Sequence, residues 1–209
     1  MARTVDKERR AELARRALEV LRARGIGRTT MSELAEALGV KRPTLYFYFR
    51  DLTGLLHAAI EDVYRGWFAH VTARVSGISH PVEALGELAR ATVEYNRGRR
   101  DLVILLFQLW AAGNSDPEEL FTRSRAVADP LRAELVARLR AGIEKKLVAK
   151  CDPERIVELT LVVLDGALVH EVTRGTPGAP VIDELWERVL APLVLDKPAT
   201  KPSRRKTAS

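Results

Sequence analysis

The chain has 209 residues, 46% apolar and 30% charged, with 34 Lys+Arg against 28 Asp+Glu and a formal net charge of +6. This is the balance of a globular protein long enough to bury a core, which excludes a disordered chain, and no stretch reaches the roughly 20 apolar residues that span a bilayer. The single Cys151 excludes an internal disulfide framework or a zinc site built on several thiolates, and Met1–Arg10 has no apolar run behind its charges, so no secretory signal and a cytoplasmic location are expected.

The chain reads in helical period throughout, with no strand-like alternation and no internal repeat. Leu13, Ala17, Val20 and Leu21 form an apolar stripe on a helix over 6–24, stopped by Gly25. Thr30 precedes Met31, Leu34, Ala35 and Leu38, the set of a short amphipathic helix, and Glu33 completes a capping box with Thr30. Gly39 closes that helix and another runs from Arg42 to Phe49. Asp51 caps a long segment through Leu55, Leu56, Ile60, Val63, Tyr64, Trp67 and Val71.

Beyond Gly77–Pro81 the spacing predicts helices over Val82–Asn96 and Asp101–Ala112, divided at Gly98. A helical stretch then runs from Pro117 to Ala149, with Pro130 expected to kink or split it and Asp129 to cap the second part. Asp152-Pro153 is an N-cap followed by a proline at the first helical position, starting Glu154–Arg174. The longest apolar run, Leu159–Val169, lies there and is interrupted by Thr160, Asp165 and Gly166. Gly175–Pro180 reads as a loop and Ile182–Leu195 as the last helix, its final turn weakened by Pro192. Residues 196–209 offer almost nothing to bury and read as a disordered basic tail.

Charge divides the chain unevenly. Residues 1–52 carry 12 Lys/Arg against 7 Asp/Glu, residues 53–195 carry 17 against 20, and residues 196–209 carry 5 against 1. A basic lobe joined to a slightly acidic body suits a polyanion partner for the first. Within that lobe, Thr30–Phe49 forms a helix-turn-helix pattern about Gly39-Val40. Leu45 and Phe49 share one face, which directs Arg42, Pro43, Thr44, Tyr46, Phe47 and Tyr48 largely elsewhere. A guanidinium, hydroxyls and aromatic edges can reach base edges and phosphates from a helix in the major groove. The alternative is that the three aromatics are core, although three consecutive residues cannot share one helical face.

The stretch from Thr30 through Ala-Leu-Gly-Val at 37–40 to Thr44-Leu45-Tyr46-Phe47-Tyr48-Phe49, followed by Asp51 and Leu55-Leu56, resembles the TetR family of bacterial transcriptional regulators over residues 8–60. The resemblance implies an all-α homodimer of about nine helices. Its N-terminal helix-turn-helix DNA-binding domain would be residues 1–52, and its C-terminal helical ligand-binding and dimerisation domain residues 53–195. By that likeness Thr30 would present its helix N-terminus to a phosphate. Arg42, Pro43 and Thr44 would read bases, with Arg42 suited to a guanine, and Lys41, Tyr46, Tyr48 and Arg28 would sit against the backbone. One departure stands out: the family usually has Lys where this chain has Leu52, which leaves Arg50 or the arm (Arg3, Lys7, Arg9, Arg10) to supply the missing charge.

Apolar stripes on the last two helices, Ile156, Leu159, Val163 and Ala167 with Leu185, Val189 and Leu193, suit a four-helix dimer interface or the chain's own core. The resemblance favours the dimer, and a symmetric dimer implies a palindromic operator on double-stranded DNA. Tyr64, Trp67, Phe68, Phe107 and Trp110 are candidates to line a pocket for a small hydrophobic or aromatic effector, with Asn96, Gln108 and His170 as its polar groups. Neither a cofactor nor a metal is expected. Two rivals differ in kind. An enzyme lacks support, because His57, His70, His80 and His170 form no metal-binding helix motif and no nucleophile elbow or phosphate loop is present. A helical adaptor for another protein would lack the steep salt dependence of DNA binding. The expected function is a ligand-released transcriptional regulator, a repressor by family habit.

Overall fold

A computed structural model describes residues 6–25, 28–97 and 117–195. Among the described residues the architecture is all-α, with only an isolated bridge between Val148 and Val194. Three short helices build the first unit. Helix α1, Lys7–Arg24, is capped by Asp6, whose carboxylate accepts the Glu8 and Arg9 N–H groups. Gly25, at φ 87, ends it. Helix α2, Met31–Ala37, has the expected capping box, and α3, Arg42–Tyr48, follows a tight turn.

Leu13, Leu21, Leu34, Leu45 and Phe49 pack into a core that also takes Leu55–Ala59 from α4, Leu52–Val75. The far end of α4 belongs to a second core through Val71 and Val75. This one helix therefore links the two cores, and it is capped as expected by Asp51, which accepts the Gly54 N–H at 2.8 Å. Ion pairs brace α1 to it: Arg15 reaches Asp62 at 3.2 Å and Arg10 reaches Glu61 at 4.0 Å.

The body is arranged around α5, Pro81–Asn96, whose Val82, Leu85, Leu88 and Ala89 are almost wholly buried. His80 caps it with Nδ1 toward the Glu83 N–H at 3.5 Å, while its Nε2 lies 2.9 Å from the Leu147 carbonyl oxygen. Asp101–Ala112 lies outside the described residues. Helix α6, Pro117–Glu144, runs through Pro130 without splitting, so Asp129 is not a cap. Pro130 is exposed, where water can take the carbonyl that the ring leaves unpaired. The helix ends at Glu144 rather than near Ala149, because Lys146 adopts φ 56 and the chain turns to pair with the C-terminal segment. There the Ala149 N–H donates to the Leu193 carbonyl and the Leu195 N–H to that of Leu147, both at 2.9 Å.

Helix α7, Pro153–Arg174, starts on the Asp152 cap and stops at Gly175, φ 70. Helix α8, Ala179–Leu185, begins earlier than the sequence suggests, then widens to a π turn over Trp186–Leu190 and tightens to a 3-10 turn over Ala191–Leu193. Pro192 supplies the reason. It lacks an N–H and its ring would strike the carbonyl one turn back, so the last turn cannot stay α-helical. Trp186 lies so close to α5 that a Cβ on Gly86 would stand 2.6 Å from its ring.

Candidate nucleic-acid interface

The turn between α2 and α3 fixes the site. The Val40 N–H donates to the Ala35 carbonyl and the Gly39 N–H to that of Glu36, each at 3.0 Å, with Gly39 at φ 68. This is the Schellman arrangement, which needs a left-handed residue where Gly39 stands. Arg16 of α1 donates to the Leu38 carbonyl at 2.8 Å and so ties the turn to the rest of the unit. Leu45 and Phe49 are buried at 0% and 2% exposure, and the Arg10 guanidinium lies 5.3 Å from the centre of the Phe49 ring.

With that face buried, Lys41, Arg42, Pro43 and Thr44 are all exposed at the start of α3, as are Tyr46 and Phe47 farther along it. The Arg42 guanidinium lies 5.5 Å from the centre of the Tyr46 ring, a cation–π contact that orients it without occupying its donors. Tyr48 differs from the expectation: it is half-buried against the unit's core, its ring 6.4 Å from that of Phe49 and 5.1 Å edge-on to Phe47. Phe47, to which the resemblance assigns no contact, is about as exposed as Tyr46. Arg28 and Arg50 are exposed beside the site.

Thr30 is exposed, but the capping box uses it fully. Its N–H donates to Glu33 Oε2 at 2.7 Å, its hydroxyl donates there at 2.8 Å, and its oxygen accepts the Glu33 N–H at 3.3 Å. These bonds hold the Glu33 carboxyl below its usual range. A carboxylate thus already stands at this helix start. A phosphate there would have to use the Met31 and Ser32 N–H groups, which the box does not engage.

Of the predicted pocket residues, Tyr64, Trp67 and Asn96 come together in the α4–α5 seam and the others do not join them. Tyr64 and Trp67 are half-buried and meet edge-on at 6.4 Å, and Trp67 Nε1 donates to Thr92 at 2.9 Å. Asn96 donates to the Thr92 carbonyl at 2.9 Å. Phe68 and His170 are exposed, while Phe107, Gln108 and Trp110 lie outside the described residues. His70 and Tyr95, not expected here from the sequence, join the same α4–α5 seam with ring centres 5.6 Å apart and planes tilted by 43°. The dimer stripe also divides. Ala167 and Leu185 are buried in the chain's own core, which leaves them nothing to offer a second copy, and Ile156, Val163, Val189 and Leu193 are half-buried against that core. Leu159 remains exposed, together with Val162, one turn on.

A capped helix-turn-helix with a cationic and aromatic outer face, carried on a larger helical body, defines a DNA-binding regulator. Comparison with known proteins gives the family. Residues 13–59 match the model for bacterial regulatory proteins of the tetR family, and residues 81–194 match that for the C-terminal part of BetI-type transcriptional repressors. The chain belongs to the TetR family of bacterial regulators, whose members are transcription factors rather than enzymes. It is 26% identical over 173 residues to the HTH-type transcriptional regulator BetI of Rhizobium meliloti (strain 1021), covering 83% of this chain and 82% of that protein. Its fold is similar to that of a TetR transcription regulator from Haloarcula marismortui, with TM-score 0.77 at 18% identity over 90% of this chain and all of the other. AibR, solved with isovaleryl coenzyme A and operator DNA, is similar at TM-score 0.63 and 20% identity, over 87% of this chain and 98% of AibR. No helix among the described residues is long and apolar enough to cross a membrane.

Proposed function

We propose that this regulator is a repressor that binds a palindromic operator as a homodimer and leaves it when a small, hydrophobic or aromatic effector binds the body. The observation that carries the reading is the exposed start of α3, Lys41 to Thr44, held at a fixed angle by the Gly39 turn. In this account Arg42 contacts a guanine, Pro43 and Thr44 complete the base-reading face, Lys41, Tyr46, Tyr48 and Arg28 line the backbone, and the helix start capped by Thr30 presents the Met31 and Ser32 N–H groups to a phosphate. Because Tyr48 is half-buried, only part of its side chain is available there. Residues 1–52 form the reading head, 53–195 the sensing and dimerising body, and 196–209 a basic tail.

Two further features support the account. Leu159 and Val162 make an exposed apolar face on α7, which a second copy would cover. Helix α4 belongs to both cores, so an effector wedged beside Tyr64 and Trp67 would shift the reading head with it. An effector that prefers the dimer with its heads misplaced lowers DNA affinity, and DNA lowers effector affinity by the same factor. AibR was solved with both a small molecule and DNA, which supports a two-ligand scheme for this chain as well.

The test is sedimentation and DNA titration of wild type and Leu159→Glu. Wild type should sediment as a dimer and bind with affinity falling steeply as salt rises. Leu159→Glu should sediment as a folded monomer that has lost tight DNA binding. A monomeric wild type, or binding indifferent to salt, would remove this reading.

A further inference from the structure

On α5, Arg90, Val93, Glu94 and Arg97 follow the spacing of a single helical face. That face does not close against its neighbours. With Arg74 from α4 and Ile182 and Asp183 from α8, it lines a cavity of about 250 Å³, open on one side. Three arginines and two acidic residues line the space. We propose that this cavity binds a compact oxyanion, the carboxylate or phosphate group of a small molecule.

The three arginines are held in different ways. Arg74 spans two carboxylates of α5, Glu87 and Glu94, with 2.6 Å to each, so it is fixed in place and largely neutralised. Arg90 lies 3.8 Å from Asp183, too far for a hydrogen bond, and its guanidinium rests on the Trp186 ring at 4.8 Å. Trp186 can reach that position only because Gly86 has no side chain. Stacking thus orients the Arg90 fork while leaving its N–H groups uncommitted, the state in which a guanidinium grips a planar or tetrahedral oxyanion best. Arg97, at the C-cap of α5, is exposed and has no ion pair among the described residues. Its position at the negative end of the helix suits a cation.

Glu94 is the anion already resident there. Its bond to Arg74 holds its carboxyl below the usual range, with the charges of His70 and Arg97 contributing in the same direction. A brace alone would pair its charges and fill its space. Here Arg74 does so, but Arg90 and Arg97 line the open volume with no hydrogen bond to either guanidinium among the described residues. An incoming oxyanion would take those donors and be repelled by Glu94, so the two sides of the cavity respond to mutation with opposite signs.

The site rests on this geometry and not on DNA recognition, so its failure leaves the operator reading untouched. Calorimetric titration of the full chain tests it, with inorganic phosphate and acetate as separate probes at ionic strength held constant with sodium chloride. Wild type should bind one of the two saturably, one per chain, and the arm that responds tells a phosphate site from a carboxylate site. Arg90→Gln and Arg97→Gln should each weaken binding roughly tenfold, the scale of one lost charge-assisted hydrogen bond. Glu94→Gln should tighten it several-fold, a gain that misfolding cannot mimic. Absence of saturable binding of either probe, binding indifferent to both arginine changes, or weaker binding by Glu94→Gln would each overturn the proposal.

Discussion

Replacing Gly39 separates backbone conformation from packing at the point that aims the recognition helix. A Cβ built there meets nothing within 4 Å, so a side chain has room, yet φ is 68. The penalty is therefore conformational, roughly 1–2 kcal/mol for an L-residue held left-handed. Alanine recovers about 0.4–1 kcal/mol by stiffening the unfolded chain, leaving a net loss of about 1 kcal/mol. Valine, branched at Cβ, should lose about 2 kcal/mol or more, while asparagine tolerates the left-handed region and should lose little. In a chain of this length each kcal/mol moves the melting temperature by about 2–4 °C. Thermal and urea denaturation followed by far-UV circular dichroism should rank glycine, asparagine, alanine and valine in that order. DNA affinity should fall in the same order, because the Gly39 and Val40 N–H bonds set the angle of α3. If Gly39→Ala is as stable as wild type, or Gly39→Asn as damaging as Gly39→Val, the reasoning fails.

Gly86→Ala should destabilise the body by about 1–3 kcal/mol, since the new methyl meets the Trp186 ring at 2.6 Å, and Trp186→Leu in the same chain should restore part of that loss in urea denaturation. Glu33 has a lowered folded pKa, so its contribution is present above the ordinary carboxylate pKa and disappears as pH falls through the folded value. Glu33→Gln should accordingly melt below wild type at neutral pH and converge with it in acid; a gap that persists at low pH would show that the cap acts through shape alone. Partial desolvation, then the charge of Glu158, raises the carboxyl of the exposed Asp165, which lies on the same side of α7 as Val162. If that face meets a second copy, Asp165→Asn should tighten the dimer at neutral pH in sedimentation equilibrium, and an unchanged constant would place the dimer contact elsewhere.

Much of the reading head was legible because its determinants are local. Thr30 with Glu33, Gly39 and Asp51 act over three or four residues, and each performs in the structure the role its spacing predicts, as Asp152-Pro153 does in the body. Pro192 also showed its effect in sequence, though not its form, a π turn followed by a 3-10 turn. What stayed hidden depends on distant partners. Apolar spacing could not tell Ala167, buried in the chain, from Leu159, left outside, because both lie on apolar positions of one helix and only the packing of α5 and α8 divides them. Helical spacing turns Tyr48 outward, yet the core beneath α3 draws in its ring. The arginine cavity is not legible in the sequence for the same reason. Arg74, Arg90 and Asp183 come from three helices, and the seat of Trp186 on Gly86 joins positions a hundred residues apart along the chain.

The central claim is that the start of α3 reads base sequence. It is tested most directly by selecting binders from a random duplex pool with wild type and Arg42→Ala in parallel. The account predicts that wild type enriches one palindrome, and that Arg42→Ala relaxes the preference at one base pair of each half-site with a loss of about 1–3 kcal/mol. Salt-sensitive binding with no enriched sequence, or an identical palindrome from the variant at unchanged affinity, would contradict it.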